Sequence, residues 1–444
     1  MGRFIGKPMS FLNKFRRKEV SQTVVIGLDG VPYSLLVDLM QKGHLKNMTS
    51  IFQQGHFAPL EVSIPEISSV SWSSFMTGTQ PGEHGIFGFI DLLPNSYKMS
   101  FPNFLDLKTG TLFDELGSKG KRSVVINLPA TYPAREISGV LISGFVAIDL
   151  SKAVYPRTLI PKLKEFDYSI DVDTKKARED HQFLFEDLGR TLSGRELAAL
   201  YLWEEEEWDL FILVISGTDR LLHFLWDAYG NNDHSYHVHF IHYLKKVDLL
   251  VGRFYEKYKD LPGSKDNKNH FLMLSDHGFT GIRSEVYLNR WLQENSFLSF
   301  STDQPQSLED IANGSKAFAL DPSRIYINYR GRYPRGTVAP DDGKAIKTEI
   351  ADGLKVLEYD GSPVIKTIFD RDDIYHGPQA AQGPDMVLLS NPGFDLKGRV
   401  NSPTVFDRTP LQGMHTQNDA FLYSDKGQRA HTIFEVRGII EEEF

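Results

Sequence analysis

Apolar residues along the chain gather in short runs that end in acidic or histidine-bearing turns. Thr23-Val24-Val25-Ile26-Gly27-Leu28 is β-branched and apolar on both faces, the pattern of a buried parallel strand, and it runs into Asp29-Gly30. Pro32 then opens a stretch with Leu35, Leu36, Leu39 and Met40 on one side, which predicts an amphipathic helix. Arg122–Asn127 and Gly139–Gly144 read as two further strands of the same sheet, and Asp209–Ser216 and Asn269–Ser275 as two more. Between Ser151 and Trp208 the pattern turns helical and polar, with Glu204–Glu207 as a solvated helix end. His234, His237, His239 and His242 precede a stripe of Leu244, Val247, Leu250 and Val251, so they are expected to decorate a packing helix. Strands alternating with helices predict an α/β fold.

The pattern fails between Ser63 and Phe89. Small hydroxyl residues crowd there between a proline turn and Pro81-Gly82-Glu83-His84-Gly85, with a clean period of neither 2 nor 3.6. So many hydroxyls are costly to bury without partners, and a functional site is a better explanation than core.

Acidic and histidine residues recur where predicted strands end, which is where open α/β sheets bind ligands. Asp29 reads equally well as a turn residue or a catalytic one. Asp219 and His223 have i,i+4 spacing; a helix opening at Thr218 would set both on one face, to share an ion or a surface hydrogen bond. Asp276-His277-Gly278 follows the Asn269–Ser275 strand, with a glycine to permit a tight turn, and is the sharpest metal-ligand signal outside the serine-rich segment.

Composition narrows the function. A chain of 444 residues, 41% aliphatic and aromatic, has room for one large α/β domain with insertions or for two or three small domains. Its net charge of −9 argues against nucleic-acid binding, whereas a small anion needs only local positive charge, which bound metal ions supply. The absence of cysteine removes disulfides, thiolate nucleophiles and cysteine-type zinc sites. No run approaches ~18 uninterrupted apolar residues, so no membrane span is expected. Residues 1–20 are basic and lack the apolar core of a secretory signal, which reads as cytoplasmic. Phe4, Ile5, Phe11, Leu12 and Phe15 among those bases leave open a weak contact with an anionic membrane surface, beside a frayed tail.

Pro65-Glu66-Ile67-Ser68, Trp72, Thr77-Gly78 and Pro81-Gly82-Glu83-His84-Gly85 together resemble the nucleophile loop of the type I phosphodiesterase/nucleotide pyrophosphatase family, in the alkaline phosphatase superfamily. The resemblance runs from Val24 to His415. It implies a three-layer α/β/α fold with a central, mostly parallel sheet and an inserted accessory or lid region: a core of residues 21–285 and 383–444 interrupted by 286–382. It implies Ser68 as nucleophile, with Ser69 as the choice in a shifted register. By the same resemblance two divalent ions are expected, one held by Asp219, His223 and His415, the other by Asp29, Asp276, His277 and the Ser68 oxygen. Mixed oxygen and nitrogen ligands suit zinc, with manganese or iron as alternatives.

The family's nucleotide pyrophosphatases usually carry threonine as nucleophile and asparagine three residues on; here those positions are Ser68 and Ser71. Ser71, a backbone N–H or Asn127 is left to take the phosphate oxygen. Arg332 and Arg335 stand as phosphate contacts or ordinary surface arginines. The expected function is two-metal cleavage of a phosphodiester or pyrophosphate bond in a small phosphorylated substrate, through a phospho-Ser68 intermediate. The alternatives are a phosphomonoesterase or phosphomutase on the same scaffold, or a catalytically silent pseudo-hydrolase that binds a phosphorylated ligand.

Overall fold

The computed structural model describes residues 21–264, 267–408 and 410–444; the basic segment 1–20, and with it the expected membrane contact, lies outside the described residues. The β-branched runs assemble into an eight-stranded sheet in the order His56–Leu60, Ala420–Ser424, His270–Leu274, Thr23–Leu28, Leu210–Ile215, Ser123–Leu128, Gly139–Ser143, Val154–Tyr155. The five strands from His270–Leu274 to Gly139–Ser143 are parallel. Antiparallel strands close both edges.

Strands covered on both faces alternate their side chains between two cores. Val24, Ile26 and Leu28 pack with the helices Tyr33–Gln41, His181–Glu205 and His237–Lys259. Val25 faces the helices Ser68–Thr77, Leu112–Ser118 and Val436–Glu441 on the other side. The three layers expected from the resemblance are present. Ile241, Leu244, Val247, Leu250 and Val251 are buried on the helix His237–Lys259, which carries His237, His239 and His242 as expected, whereas His234 lies in the turn before it. No helix among the described residues is long and apolar enough to cross a membrane.

A separate apolar cluster surrounds a second, antiparallel sheet in the order Ala317–Leu320, Arg324–Ile327, Met386–Ser390, Ile365–Asp370, with the helix Gly343–Lys355 against it. Two segments assigned by sequence to the last part of the core belong to this accessory region instead. Met386–Ser390 pairs with Arg324–Ile327 and Ile365–Asp370, and Phe394–Lys397 pairs with Ser284–Tyr287. An apolar run such as Met386-Val387-Leu388-Leu389 suits either sheet, so its pattern alone does not choose a partner. Tyr97 reaches across from the first part of the core, its hydroxyl donating to Asn328 Oδ1 at 2.7 Å.

Candidate active site

The serine-rich segment is a helix, Ser68–Thr77, and every residue of it is buried. Its hydroxyls are not the obstacle to burial that composition suggested, because all but that of Ser69 are paired. Ser73 and Thr77 donate to the carbonyls of Ser69 at 2.6 Å and Ser73 at 2.7 Å, one turn back. Ser74 Oγ lies 3.0 Å from His84 Nε2, and Ser71 Oγ 2.8 Å from Ser63 Oγ. Each hydroxyl left unpaired would cost about 1–3 kcal/mol. Ser68 opens this helix, where free N–H groups and the positive end of the helix dipole favour an anion.

The strand ends bring the acidic residues to Ser68. Asp29 follows the central strand, and its carbonyl accepts from Thr218 Oγ1 at 2.6 Å, fastening it to the helix Gly217–Gly230. Gly30 takes φ 71, and a Cβ there would sit 3.1 Å from His277 and 3.2 Å from Asp219 Oδ1. A glycine at this turn lets the two elements close in. Its N–H donates to Asp276 Oδ1 at 3.0 Å. His415, remote in sequence, arrives on a short antiparallel ladder in which Gly278–Gly281 pairs with Gly413–Thr416 and Phe279 stands opposite His415.

The three imidazoles share one arrangement. Nδ1 of His223 lies 2.8 Å from the Gly413 carbonyl, that of His415 3.0 Å from the Glu66 carbonyl, and that of His277 3.1 Å from the Gly278 carbonyl. Carbonyls only accept, so each Nδ1 carries a proton and each ring turns its Nε2 inward. His223 Nε2 and His415 Nε2 are then 3.0 Å apart, and 3.4 and 3.3 Å from Asp219 Oδ1. His277 Nε2 is 3.4 Å from Asp276 Oδ2, 3.8 Å from Asp29 Oδ1 and 3.9 Å from Asp219 Oδ1. Asp219 Oδ1 and Asp276 Oδ2 are buried without hydrogen-bond partners. Converging lone pairs and orphaned carboxylate oxygens, with no sulfur, fit divalent cations.

Among the described residues, two groups each hold their ligand atoms within 4.8 Å of one another: Asp219, His223 and His415, and Asp29, Asp219 and His277. Asp219 thus belongs to both. Asp276 and Ser68 adjoin the second group, Ser68 Oγ lying 3.4 Å from Asp29 Oδ1 and 3.1 Å from His277 Nε2.

Electrostatics divide the cluster. Burial, then the charges of Asp276 and Asp219, raise the Asp29 carboxyl well above its usual range. Burial pushes Asp276 up to about 6. Burial would also raise Asp219, but His223, His415 and Arg220 hold it well below the ordinary value. Burial lowers His223 to about 4 and takes His277 well down. For His415 burial is outweighed by the Asp219 carboxylate, and its pKa rises.

Arg220 is the residue that sequence reasoning passed over. Its Nη1 donates to Asp219 Oδ2 at 2.9 Å while Nε and Nη2 grip Asp171 at 3.0 and 2.7 Å, and the guanidinium lies 4.3 Å from the centre of the Phe145 ring. By taking Oδ2, it leaves Asp219 Oδ1 to face the histidines. A cation directly beside the predicted ligand Asp219 was the available signal.

A model of the type I phosphodiesterase / nucleotide pyrophosphatase family matches residues 23–418. The chain belongs to that family. As a member it is a phosphohydrolase of the phosphodiesterase/pyrophosphatase type, and metal dependence is general to the family. No curated protein matches the sequence. Among solved structures, phosphonoacetate hydrolase from Sinorhizobium meliloti 1021 in complex with phosphonoformate is similar, with a TM-score of 0.63 and 14% identity over 96% of each chain. Murine ectonucleotide pyrophosphatase / phosphodiesterase 5 in complex with AMP reaches 0.57 at 13% identity over 95% of this chain and 94% of that one. These likenesses speak for the alkaline phosphatase-like fold.

Other expected contacts of this phosphodiesterase-family chain are engaged elsewhere. Ser71 is bonded to Ser63, and Asn127 donates to Ser216 Oγ at 3.2 Å and accepts from Tyr168 at 3.3 Å inside the sheet. Ser69 is buried with its Oγ unpartnered. Arg332 donates to the carbonyls of Gln382 and Gly383, and Arg335 to that of Glu309, all within the accessory region. Glu66, part of the same motif, adjoins His415 through its carbonyl, and burial pushes its carboxyl up to about 7.

Proposed function

We propose that the chain hydrolyses a phosphodiester through a phospho-Ser68 intermediate. The position of Ser68 Oγ carries this assignment: it opens a buried helix and lies 3.4 Å from Asp29 Oδ1 and 3.1 Å from His277 Nε2. Two divalent ions, zinc by ligand chemistry, would be held by Asp219, His223 and His415 and by Asp29, Asp276 and His277, and would supply the positive charge that attack on an anionic phosphoryl group needs.

The side chains do the rest. With His277 Nε2 given to an ion, the Asp29 carboxylate, which has two oxygens, is the acceptor beside the Ser68 hydroxyl. The helix N-terminus favours the anionic phosphoryl group beside it. The Ser68 O–P bond forms as the bond from phosphorus to one alcohol breaks, and that alcohol leaves with a proton. Water then splits the phosphoserine, restoring the Ser68 hydroxyl and releasing a phosphomonoester. Arg220 keeps Asp219 ionised and oriented throughout.

The test is hydrolysis of an aryl phosphodiester and the matching monoester by metal-stripped protein, with zinc or manganese added back. Metal-dependent diester turnover is expected, falling by at least about 10³-fold in Ser68→Ala with metal uptake retained. Preferred turnover of the monoester would move the assignment to a phosphomonoesterase. Metal binding with neither ester turned over would defeat it.

A further inference from the structure

A cavity of about 210 Å³ lies at the mouth of the cluster. His223, His415 and Glu66 of the core line one side, and Ser323 and Lys397 of the accessory region line the other. Ser323 belongs to the turn between the paired strands Ala317–Leu320 and Arg324–Ile327. That turn is anchored from below: the buried Arg324 donates to the Asp321 carbonyl and, at 2.6 Å, to the Ile90 carbonyl. One guanidinium therefore holds the turn against the stretch that carries Phe89, the cavity's aromatic wall.

Two polar atoms on the cavity's lining residues lack partners. Ser323 is 4% exposed, its backbone is left-handed with φ 53, and its Oγ makes no hydrogen bond. Glu66 Oε2 is unpartnered too. A buried, unpaired hydroxyl on a strained residue is costly twice over, and a ligand hydroxyl would relieve one of the two costs. The positive charge, in contrast, is already committed. Lys397, the one lining lysine among the described residues, lies 2.7 Å from Asp395 Oδ2 with Asp321 also acting on it. A second phosphoryl group would meet Asp321 and Asp395 with no uncommitted lysine or arginine among the described lining residues to offset them. The space is also below the ~300–1,000 Å³ of clefts that enclose drug-sized ligands.

We propose that this cavity takes the alcohol part of a small phosphodiester, an uncharged hydroxyl-bearing group of glycerol or polyol size, and turns away a second phosphoryl group. The assignment rests on the phosphodiesterase function above and narrows it from phosphodiester or pyrophosphate bonds to polyol phosphodiesters. Ser323 receives or donates a hydrogen bond to a polyol hydroxyl, and the Lys397–Asp395 pair closes the cavity to further anions.

Metal-loaded protein is offered three substrates: bis(4-nitrophenyl) phosphate, a glycerol phosphodiester and a dinucleoside pyrophosphate. The glycerol diester is expected to exceed the pyrophosphate in kcat/KM by about tenfold or more, as like-charge juxtaposition dictates. Ser323→Ala and Ser323→Gly are each expected to lower the ratio of glycerol-diester to aryl-diester kcat/KM by about three- to tenfold, mainly through KM, the loss of one hydrogen bond. Glycine relaxes the backbone, so a fall shared by both variants belongs to the hydroxyl and not to misfolding. Asp395→Asn, which releases Lys397, is expected to raise pyrophosphate turnover relative to the glycerol diester. Faster pyrophosphate cleavage by the unaltered protein, or an unchanged glycerol-to-aryl ratio in both Ser323 variants, would overturn the polyol assignment and leave the phosphodiesterase standing. Turnover of none of the three would remove both.

Discussion

Behind Asp219 stands Arg220, 2.9 Å from Oδ2, and the carboxylate is held ionised in the middle of the protein. Asp29 and Asp276 are buried just as deeply, but among the described residues neither has an arginine or lysine in ion-pair range, and both carboxyls are pushed up. One half of the cluster carries its counter-charge in the chain; the other is left to an ion. The difference teaches that a cluster of candidate metal ligands need not be uniformly preorganised. A buried carboxylate backed by a guanidinium is ready before the ion arrives, whereas a pair of unbacked carboxylates is a strained arrangement that ion binding relieves.

The sharpest way to break this comparison is at Arg220. Arg220→Met leaves buried Asp219 and half-buried Asp171 without their cation, and is expected to cost about 3–5 kcal/mol of metal-free stability in urea unfolding. Calorimetric titration should also find metal affinity weakened about 10- to 100-fold, as for lost orienting groups around ligands. Arg220→Lys keeps charge but not the fork that spans two carboxylates, and should recover only part of both. Stability unchanged in Arg220→Met would end the claim that this half carries its own counter-charge.

The second test lies in the other half. Asp276→Asn keeps the acceptor for the Gly30 N–H and removes the charge. It is expected to lower turnover about 10²-fold and to leave the protein with one bound ion fewer by elemental analysis. Full metal content in this variant would show that Asp276 is not a ligand.

The smallest effect is on pH. In metal-free protein Asp276 holds its proton to about pH 6, while the unfolded chain releases it near the ordinary value of 3.8. The folded state therefore binds more protons in that window, so this contribution is fully present below 3.8 and is lost as pH rises through 6. Metal-free Asp276→Asn should accordingly be more stable than the parent at pH 7.5, by about 3 kcal/mol, with the gap closing towards pH 4. A gap that widens on acidification would reverse the assigned sign.

Much of the site was legible because local patterning already implies where strand ends fall. Asp29, Asp219 and Asp276 each follow a β-branched run, and parallel strands deliver their carboxyl ends to one edge. Ser68 and His415 were legible only through the motif resemblance, since nothing in their own neighbourhoods marks them off from an ordinary serine or loop histidine. The serine-rich helix misled because burial of a hydroxyl depends on whether an acceptor lies one turn back, which composition does not record. Arg220 was passed over for a similar reason: beside an aspartate, an arginine reads as a surface pair until burial shows otherwise.

By itself the sequence determined the run of buried strands, the acidic turns after them and the absence of sulfur chemistry, all of which are local in the chain. The tertiary structure decided the rest. It set His415 against His277 through a ladder of four residue pairs and turned three imidazoles inward by giving each Nδ1 a carbonyl. It put Met386–Ser390 in the accessory sheet and hung the Ser323 turn over the cluster. These outcomes depend on which distant groups meet and how completely water is excluded between them. Such properties belong to the packed chain and not to any stretch of it.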